Sequence, residues 1–190
     1  MESAQQSPLI HTERLTLRPP RMEDAAAIYD SYARDPEVTR YLVWTPHRSL
    51  AETEEYLRGV TTVSGGDPKY HWALTERGGG DTARGMIALR RDGHRADFGY
   101  VLARECWGRG YMTEALRAVL GFAFTLPGLY RVWAVCDVEN AASARVMEKA
   151  GLRFEGVHRR HTVHPNLGPE PRDARCYAMT RDDVDGAAPR

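Results

Sequence analysis

Residues 105–115 read Glu105-Cys106-Trp107-Gly108-Arg109-Gly110-Tyr111-Met112-Thr113-Glu114-Ala115, and they join a strand-like run, 97–102, to an amphipathic helix. Gly108 and Gly110 lie close together in this stretch, and glycine lets backbone approach a ligand closely because it has no Cβ. Free amides at the start of the helix, together with the helix dipole, favour an anion at the same place. The stretch therefore predicts a phosphate-binding turn, although these residues alone fit an ordinary tight turn before a helix equally well.

The composition is typical of a globular protein with one domain. The chain has 190 residues with 26 basic and 26 acidic side chains, so its net charge favours neither nucleic acid nor an anionic membrane as a partner. No apolar run approaches the roughly 20 residues of a membrane-spanning helix, and the first residues lack the pattern of a signal peptide. The three cysteines lie far apart without metal-ligand spacing. We expect reduced thiols, no metal site and a cytoplasmic location.

Apolar periodicity and turn residues predict a chain of mixed strands and helices. Three strand-like runs between residues 69 and 102 are separated only by the turn signals Gly78-Gly79-Gly80 and Asp92-Gly93, which indicates an antiparallel meander. The predicted strands are 12–18, 69–75, 83–89, 95–102, 130–136, 152–159 and 175–180, and the predicted helices are 22–33, 49–59, 112–124 and 141–150.

One segment near the end of the chain is predicted to be a long loop. Residues 161–173 hold three prolines and little apolar content, and a loop of that length is uncommon unless it has a function. We expect a single domain over 1–190, with its core at about 11–183. Polar or small residues at 1–10 and 185–190 indicate loose ends.

Two motifs in register identify a family that the chain resembles. Trp107-Gly108-Arg109-Gly110-Tyr111-Met112-Thr113-Glu114-Ala115 and Asn140-Ala141-Ala142-Ser143-Ala144-Arg145-Val146-Met147-Glu148-Lys149-Ala150-Gly151-Leu152 look like motifs of the GNAT acetyltransferase superfamily. Within it, the chain is similar to the Rim-type ribosomal-protein N-terminal alanine acetyltransferases, as residues 12–19, 35–38 and 154–157 also indicate. The resemblance implies a mixed α/β fold, the GNAT fold. In that fold a splayed, mostly antiparallel sheet of about seven strands is flanked by helices and holds acetyl-CoA in the splay.

The resemblance also implies how acetyl-CoA, the acetyl donor, binds. Amides of the glycine turn would hold the pyrophosphate, and pantetheine would pair with the strand before the turn like an additional strand. Glu105 departs from the family pattern, since many members have Gln or Arg at this position. A carboxylate beside a pyrophosphate would be repulsive. We therefore expect Glu105 to point away and Arg104 or Arg109 to supply positive charge. The residues expected to contact acetyl-CoA are Tyr100, Val101, Leu102, Trp107, Gly108, Arg109, Gly110, Tyr111, Asn140 and Ser143.

Acetyl transfer from a thioester needs a neutral amine, a stabilised carbonyl oxygen and a proton for the leaving thiolate. The resemblance implies that a strand amide near Val101 or Leu102 polarises the carbonyl, and that Asn140 orders the pantetheine or a water. Many family members have a proton-donating tyrosine where this chain has Met147, which cannot donate a proton. The Rim-type branch suggests Ser143 as the substitute, and residues 140 and 143 share one side of a helix. Helix capping is the alternative role for Asn140 and Ser143.

No strong general base stands out in the sequence. Asp97 and Glu155 on predicted strands are candidate catalytic carboxylates, and His161 and His164 in the predicted loop are candidate bases and acceptor contacts. With a pKa near 7.8, about one α-amine in seven is neutral at pH 7, against about one lysine side chain in 2,500. The absence of a strong base therefore favours an α-amine as the acceptor.

The acceptor amine is expected to bind where residues 41–44, 70–72 and 161–173 converge. Trp44 and Trp72 are large enough to wall a slot there, although core packing is the alternative role for at least one of them. His161 and His164 would contact the acceptor from the loop.

Together these features predict an acetyl-CoA-dependent N-acetyltransferase acting on a primary amine, above all the N-terminal α-amine of a protein such as a ribosomal protein. One alternative is an acetyltransferase for a small amine such as an antibiotic, an amino acid or a polyamine. Another is a catalytically silent acyl-CoA-binding regulatory protein. We expect a monomer or homodimer that binds neither nucleic acid nor membrane.

Overall fold

A single eight-stranded sheet runs through the computed structural model, which describes residues 7–61 and 69–186. The order across the sheet is β1-β2-β3-β4-β5-β6-β8-β7, and every neighbouring pair except β5 and β6 is antiparallel. The predicted fold class is confirmed, with one strand more than the expected seven. The strands are β1 Ile10–His11, β2 Leu15–Arg18, β3 Lys69–Glu76, β4 Gly85–Asp92, β5 Arg95–Leu102, β6 Arg131–Asp137, β7 Arg153–Thr162 and β8 Arg172–Thr180.

The sheet splays open between β5 and β6. These parallel strands pair only where residues 95–97 face residues 131–133, whereas β4 follows β5 along its whole length. The edge of β5 that faces β6 is therefore unpaired by β6 from Phe98 to Leu102. An unpaired edge of this kind presents backbone donors and acceptors to whatever enters the gap.

Helices pack in two groups, α1 with α3 and α4 with α5. The face of α4 that meets the sheet is apolar, as its periodicity predicts: Leu116, Val119 and Leu120 are buried. Phe122 of the same helix makes edge contacts with the stacked rings of Tyr70 and Trp72 on β3. The helices are α1 Ala25–Ile28, α2 Pro36–Thr39, α3 Leu50–Thr61, α4 Tyr111–Ala123, α5 Ala141–Ala150 and α6 Arg181–Asp185.

The segment predicted as the first helix, 22–33, is helical, but it is not one regular α-helix. A 3₁₀ turn, Met22–Asp24, leads into α1, and a π-helical turn, Tyr29–Ala33, follows it. The hydroxyl of Ser31 donates to the carbonyl of Ala27 at 2.5 Å, in competition with the backbone amide that an α-helix would use.

The long loop predicted for 161–173 is shorter in the structure, because the β7–β8 hairpin extends into it. Strand β7 continues to Thr162 and β8 begins at Arg172, so His161 lies on an exposed edge strand and not in a loop. The N-terminal segment predicted to be loose is anchored from residue 7: Ser7 Oγ accepts from the amide of His71, and Pro8 O accepts from Trp72 Nε1. Residues 1–6 and 187–190 lie outside the described residues.

Candidate active site

A cleft of about 1550 Å³ occupies the splay between β5 and β6. Strand residues, the glycine turn, the first turn of α5 and the segment after α2 all contribute to its walls. The cleft thus brings together most of the residues singled out in the sequence. Those that line it are Trp44, Asp97, Tyr100, Val101, Leu102, Trp107, Gly108, Gly110, Tyr111, Asn140, Ser143 and His164, whereas Trp72, Arg109, Glu155 and His161 do not.

The glycine turn has the backbone conformation that its sequence requires. Gly108 has φ 72° and Gly110 has φ 79°, both in the left-handed region that favours glycine. Gly110 is the N-cap of α4 and offers no side chain to the first amides of that helix. A Cβ built on Gly108 would meet no atom within 4 Å, so the space in front of the turn is open. The turn and helix start can therefore receive a phosphate.

Trp107 takes a different part in this turn from its neighbours. Its amide donates to the carbonyl of Arg104 at 3.0 Å, and its indole Nε1 donates to the carbonyl of Leu102 at 2.8 Å. These bonds close the turn onto the end of β5. The amide of Trp107 is consequently used within the turn and is not free for an anion.

The charged side chains near the turn are held by partners of opposite charge. Glu105 pairs with Arg84 at 2.5 Å, and Arg104 pairs with Asp35 at 3.1 Å. Arg109 lies 3.3 Å from Glu76. Because Glu105 is neutralised by Arg84, its negative charge opposes an anion in the turn far less than an isolated carboxylate would.

A clamp that the sequence reasoning did not assign holds the turn from the other side. Glu114 in the first turn of α4 accepts from Thr12 Oγ1 at 2.6 Å and from the backbone and Nε of Arg14 at 2.8 and 2.7 Å. Burial raises the pKa of Glu114, but these hydrogen bonds outweigh it and leave the pKa below its usual range. Arg14 Nη1 also donates to the carbonyl of Arg109 at 2.9 Å. Both residues lie in segments that carry the family resemblance. That resemblance is the feature of the sequence from which their contact could have been suspected.

Asn140 and Ser143 meet the cleft at the start of α5. Asn140 is the N-cap, and its side-chain oxygen accepts from the amide of Ser143 at 3.1 Å, so the capping role is real. The Ser143 hydroxyl lies 2.8 Å from the phenol oxygen of Tyr100 across the splay. Met147 is buried at 1% exposure and supplies no proton donor at this end of the cleft.

The two strand carboxylates proposed as catalytic groups are both paired with arginine. Asp97 lines the cleft and accepts from Arg90 Nε at 2.9 Å and again from Nη2. Glu155 lies on β7 away from the cleft and accepts from both terminal nitrogens of Arg131. These hydrogen bonds lower the pKa of Glu155, which weakens it as a base.

His164 is the loop histidine that reaches the cleft. Its side chain is 5% exposed, and neither ring nitrogen has a hydrogen-bond partner within the part of the chain that the structure describes. Nε2 lies 3.7 Å from Oδ2 of the buried Asp137. Burial raises the pKa of Asp137, but two hydrogen bonds from Arg172 outweigh it and keep the pKa below its usual range.

Aromatic and imidazole rings form one wall of the cleft. Trp44 lies 5.1 Å from His47, which lies 6.2 Å from Tyr56, between ring centroids. Burial lowers the pKa of His47, and burial lowers that of His71 to about 4, so both rings are neutral at pH 7. The other tryptophan proposed for this wall, Trp72, is fully buried in the core, where it stacks on Tyr70.

Asn166 bridges two segments that flank the cleft. Its side-chain nitrogen donates to the carbonyl of Thr39 at 2.7 Å and to that of Trp44 at 2.8 Å. The β7–β8 loop is thereby tied to the segment after α2. Sequence reasoning did not identify this residue, because an asparagine in a proline-rich loop carries no periodic signal.

The described residues fit the acetyl donor that the resemblance implies. The open turn, the free edge of β5 and the cleft between them match a pyrophosphate followed by a long, amide-bearing arm. All three cysteines are free and buried. Within 7–61 and 69–186, the structure contains no group of three or more His, Cys, Asp or Glu placed to hold a metal ion. No helix in those ranges is long and apolar enough to cross a membrane.

Comparisons with known proteins agree with this geometry. Residues 14–153 match the family model of the acetyltransferase (GNAT) domain. The uncharacterized N-acetyltransferase p20 of Bacillus licheniformis is 30% identical over 152 residues, covering 79% of this chain and 85% of the relative. A GNAT-family acetyltransferase structure from Bacillus anthracis is 27% identical with a TM-score of 0.78, covering 91% of this chain and 98% of that one. The structure of Mycobacterium smegmatis RimJ in complex with CoA-disulfide is 25% identical with a TM-score of 0.78, covering 90% of this chain and 83% of that one.

Proposed function

The chain belongs to the GNAT acetyltransferase family, and we propose that its acceptor is the N-terminal α-amine of a protein, such as a ribosomal protein. The coarser assignment is an acetyl-CoA-dependent N-acetyltransferase. Similarity to RimJ, a Rim-type protein, supports the finer proposal. A cytoplasmic location belongs to the proposal as well and is consistent with three free thiols.

The pairing of the cleft's strand carboxylates is the observation that carries this proposal. Asp97 is held by Arg90 and Asp137 by Arg172, so neither is an isolated carboxylate that would attract a polyamine. Despite burial, the hydrogen bonds from Arg172 also keep the pKa of Asp137 below its usual range, which makes this carboxylate a poor base for a lysine ammonium. An α-amine, which is neutral in about one molecule of seven at pH 7, needs much less assistance.

Acetyl-CoA supplies a thioester when bound, and residues of this chain would hold it at two places. The amides from Gly108 onward bind the pyrophosphate, and the free edge of β5 pairs with the pantetheine arm. A backbone amide near Val101 or Leu102 would stabilise the carbonyl oxygen. Asn140 fixes the start of α5 and so fixes Ser143.

The acceptor's nitrogen attacks the thioester carbonyl, and the C–S bond breaks with its electron pair on sulfur. The proton that the amine loses ends on the sulfur, so the reaction needs no outside acid. Ser143 supplies a hydrogen bond to the departing sulfur in place of the tyrosine that Met147 replaces. We assign the transient handling of the amine proton to His164, because it lines the cleft beside Asp137 and neither ring nitrogen has a hydrogen-bond partner among the described residues.

A panel of acceptors tests the proposal, with release of free thiol from acetyl-CoA as the readout. Hexapeptides beginning with alanine, serine or methionine are compared with the same peptides carrying a blocked N-terminus and one internal lysine, and with spermidine. We expect the free α-amine peptides to react at least about 100-fold faster than the blocked ones, since far more of their amine is neutral. Acetylation confined to spermidine or other small amines would contradict the protein-acceptor proposal.

Substitution of His164 tests whether its ring takes part in the reaction. His164→Gln keeps a side chain of similar length without a titrating group, and we expect about a 100-fold loss of kcat on the best peptide. His161→Gln on the exposed edge strand is the matched control and should retain full activity. Equal losses in the two variants would remove His164 from the mechanism.

A further inference from the structure

Tyr100 and Ser143 meet across the splay, although they lie 43 residues apart in the sequence. The phenol oxygen of Tyr100 lies 2.8 Å from Ser143 Oγ and 3.3 Å from the Ser143 carbonyl oxygen. Tyr100 comes from β5, and Ser143 comes from the first turn of α5. Both side chains line the cleft. One contact thus joins the two walls between which the pantetheine arm lies in the proposed function.

The phenol of Tyr100 is a hydrogen-bond donor throughout the physiological pH range. Burial raises its pKa well above the ordinary value, against a smaller lowering by the hydrogen bond to Ser143. A buried phenol that keeps its proton is stabilised when it donates that proton to an acceptor. Among the described residues, the hydrogen-bond partners of the phenol are the two oxygens of Ser143.

The direction of this hydrogen bond decides what Ser143 can do. A serine hydroxyl has one hydrogen to donate and two lone pairs with which to accept. When Tyr100 donates to Oγ, the hydrogen of Ser143 is left for another acceptor. Cys136 also contacts Ser143, but burial raises the pKa of that thiol to about 11. As a protonated thiol, Cys136 is only a weak acceptor for the Ser143 hydrogen.

We propose that Tyr100 is the positioning residue that donates to Ser143 Oγ and directs the Ser143 hydroxyl hydrogen toward the departing sulfur of acetyl-CoA. This inference rests on the proposed function, because the role of Ser143 belongs to it. Neither side chain gains or loses a proton overall, since the proton of the amine ends on the sulfur. From the opposite wall of the cleft, Tyr100 thus contributes to the hydrogen bonding of the sulfur that Met147 cannot supply.

The first test needs no ligand. Thermal unfolding is measured for Tyr100→Phe, Ser143→Ala and the double variant. If the two side chains share one hydrogen bond, each single change lowers Tm by about 3 °C and the double variant falls no further than the lower single variant. Tyr177→Phe is the matched control, because Tyr177 is also buried and donates to Glu148 of the same helix at 2.8 Å.

The second test measures thiol release from acetyl-CoA with hydroxylamine, a small neutral nucleophile that requires no acceptor pocket. We expect Tyr100→Phe to lose about tenfold in kcat, the effect of one hydrogen bond, and Ser143→Ala to lose about 100-fold. The KM for acetyl-CoA should stay within about twofold in both, as the hydrogen bond acts on the departing sulfur. The double variant should match Ser143→Ala, while Tyr177→Phe should keep full kcat.

Each outcome bears on a definite claim. Additive changes in Tm, a double variant whose kcat loss equals the product of the single losses, or a Tyr100→Phe enzyme as active as Tyr177→Phe would overturn the inference. Coupled losses with hydroxylamine but no acetylation of N-terminal peptides would support the inference and overturn the proposed acceptor alone. An unsubstituted chain that releases no thiol with hydroxylamine or any amine would overturn both.

Discussion

Arg14 and Glu114 lie 100 residues apart in the sequence, and Nε of Arg14 donates to Oε2 of Glu114 at 2.7 Å. The contact ties the turn between β1 and β2 to the first turn of α4. Because Arg14 also donates to the carbonyl of Arg109, one side chain holds both the glycine turn and the helix that follows it. The proposed pyrophosphate site is therefore preorganised by a residue that lies far from it in the sequence.

Loss of this clamp should weaken acetyl-CoA binding. We expect Glu114→Gln to raise the Kd for acetyl-CoA about tenfold, since the turn must then be ordered on binding, at about 1.4 kcal/mol. Calorimetry measures the change directly. Glu105→Gln is the matched control, because Glu105 pairs with Arg84 beside the same turn without entering the cleft. Equal effects of the two changes would show that net charge, and not the clamp, governs affinity.

Gly110 and Gly128 allow a glycine of the proposed binding turn to be compared with one outside the cleft. Both have left-handed backbone, with φ 79° and 71°, and a built Cβ meets an arginine Nη2 at 3.4 Å and 3.5 Å respectively. Alanine at either position should therefore cost a similar 1–2 kcal/mol of folding free energy, roughly. Only Gly110→Ala should also reduce acetyl-CoA affinity, as measured by the thermal shift on adding the ligand. An unchanged ligand shift in Gly110→Ala would mean that the turn has no role in binding.

The two hydrogen bonds of Asn166 should affect the binding of the acceptor and not the binding of acetyl-CoA. Its two hydrogen bonds hold the β7–β8 loop against the segment that carries Trp44. We expect Asn166→Ala to raise the KM for an N-terminal peptide about tenfold through loss of these bonds, with the Kd for acetyl-CoA unchanged. Steady-state kinetics with the best peptide of the panel measures this. A parallel loss of acetyl-CoA affinity would instead indicate a general disturbance of the fold.

Acid should destabilise the protein partly through His71. Its folded-state pKa is about 4, below the ordinary 6.5, so the unfolded chain binds a proton that the folded protein does not. Stability is therefore full above pH 6.5 and declines as the pH falls towards 4, by roughly 1 kcal/mol per pH unit from this group. Denaturant unfolding of His71→Gln between pH 6.5 and 4.5 should show a shallower decline than the unsubstituted protein. Identical slopes would contradict the assignment.

Local sequence was sufficient for the elements whose conformation depends on near neighbours. The glycine turn, the start of α4 and the C-cap at Gly151 follow from backbone preferences and capping, and the structure has each of them. The antiparallel meander from β3 to β5 likewise follows from short turns. The shortened β7–β8 loop could not be predicted, because pairing with β8 and not local composition extends β7 to Thr162.

The candidate site, like the fold, could be predicted from the sequence only in part. Most of the residues that the sequence named, through motifs that resemble a known family, line the cleft. The sequence did not reveal that Asp97 is paired with Arg90, that Glu155 is paired with Arg131, or that Trp72 is buried in the core. Arginine partners cannot be assigned from composition, since a chain with equal numbers of acidic and basic residues allows many pairings.

By itself, the sequence determined that a glycine turn opens an apolar helix, because turn preferences and helix starts are properties of a few adjacent residues. The same residues predicted a phosphate at the turn without excluding an ordinary tight turn. Only the tertiary structure decided which polar groups around that turn are satisfied and which face the cleft. Arg14 reaches Glu114 because α4 packs beside β2, and Tyr100 reaches Ser143 because α5 lies across the splay from β5. Such contacts depend on the packing of the whole chain, and so no local pattern encodes them.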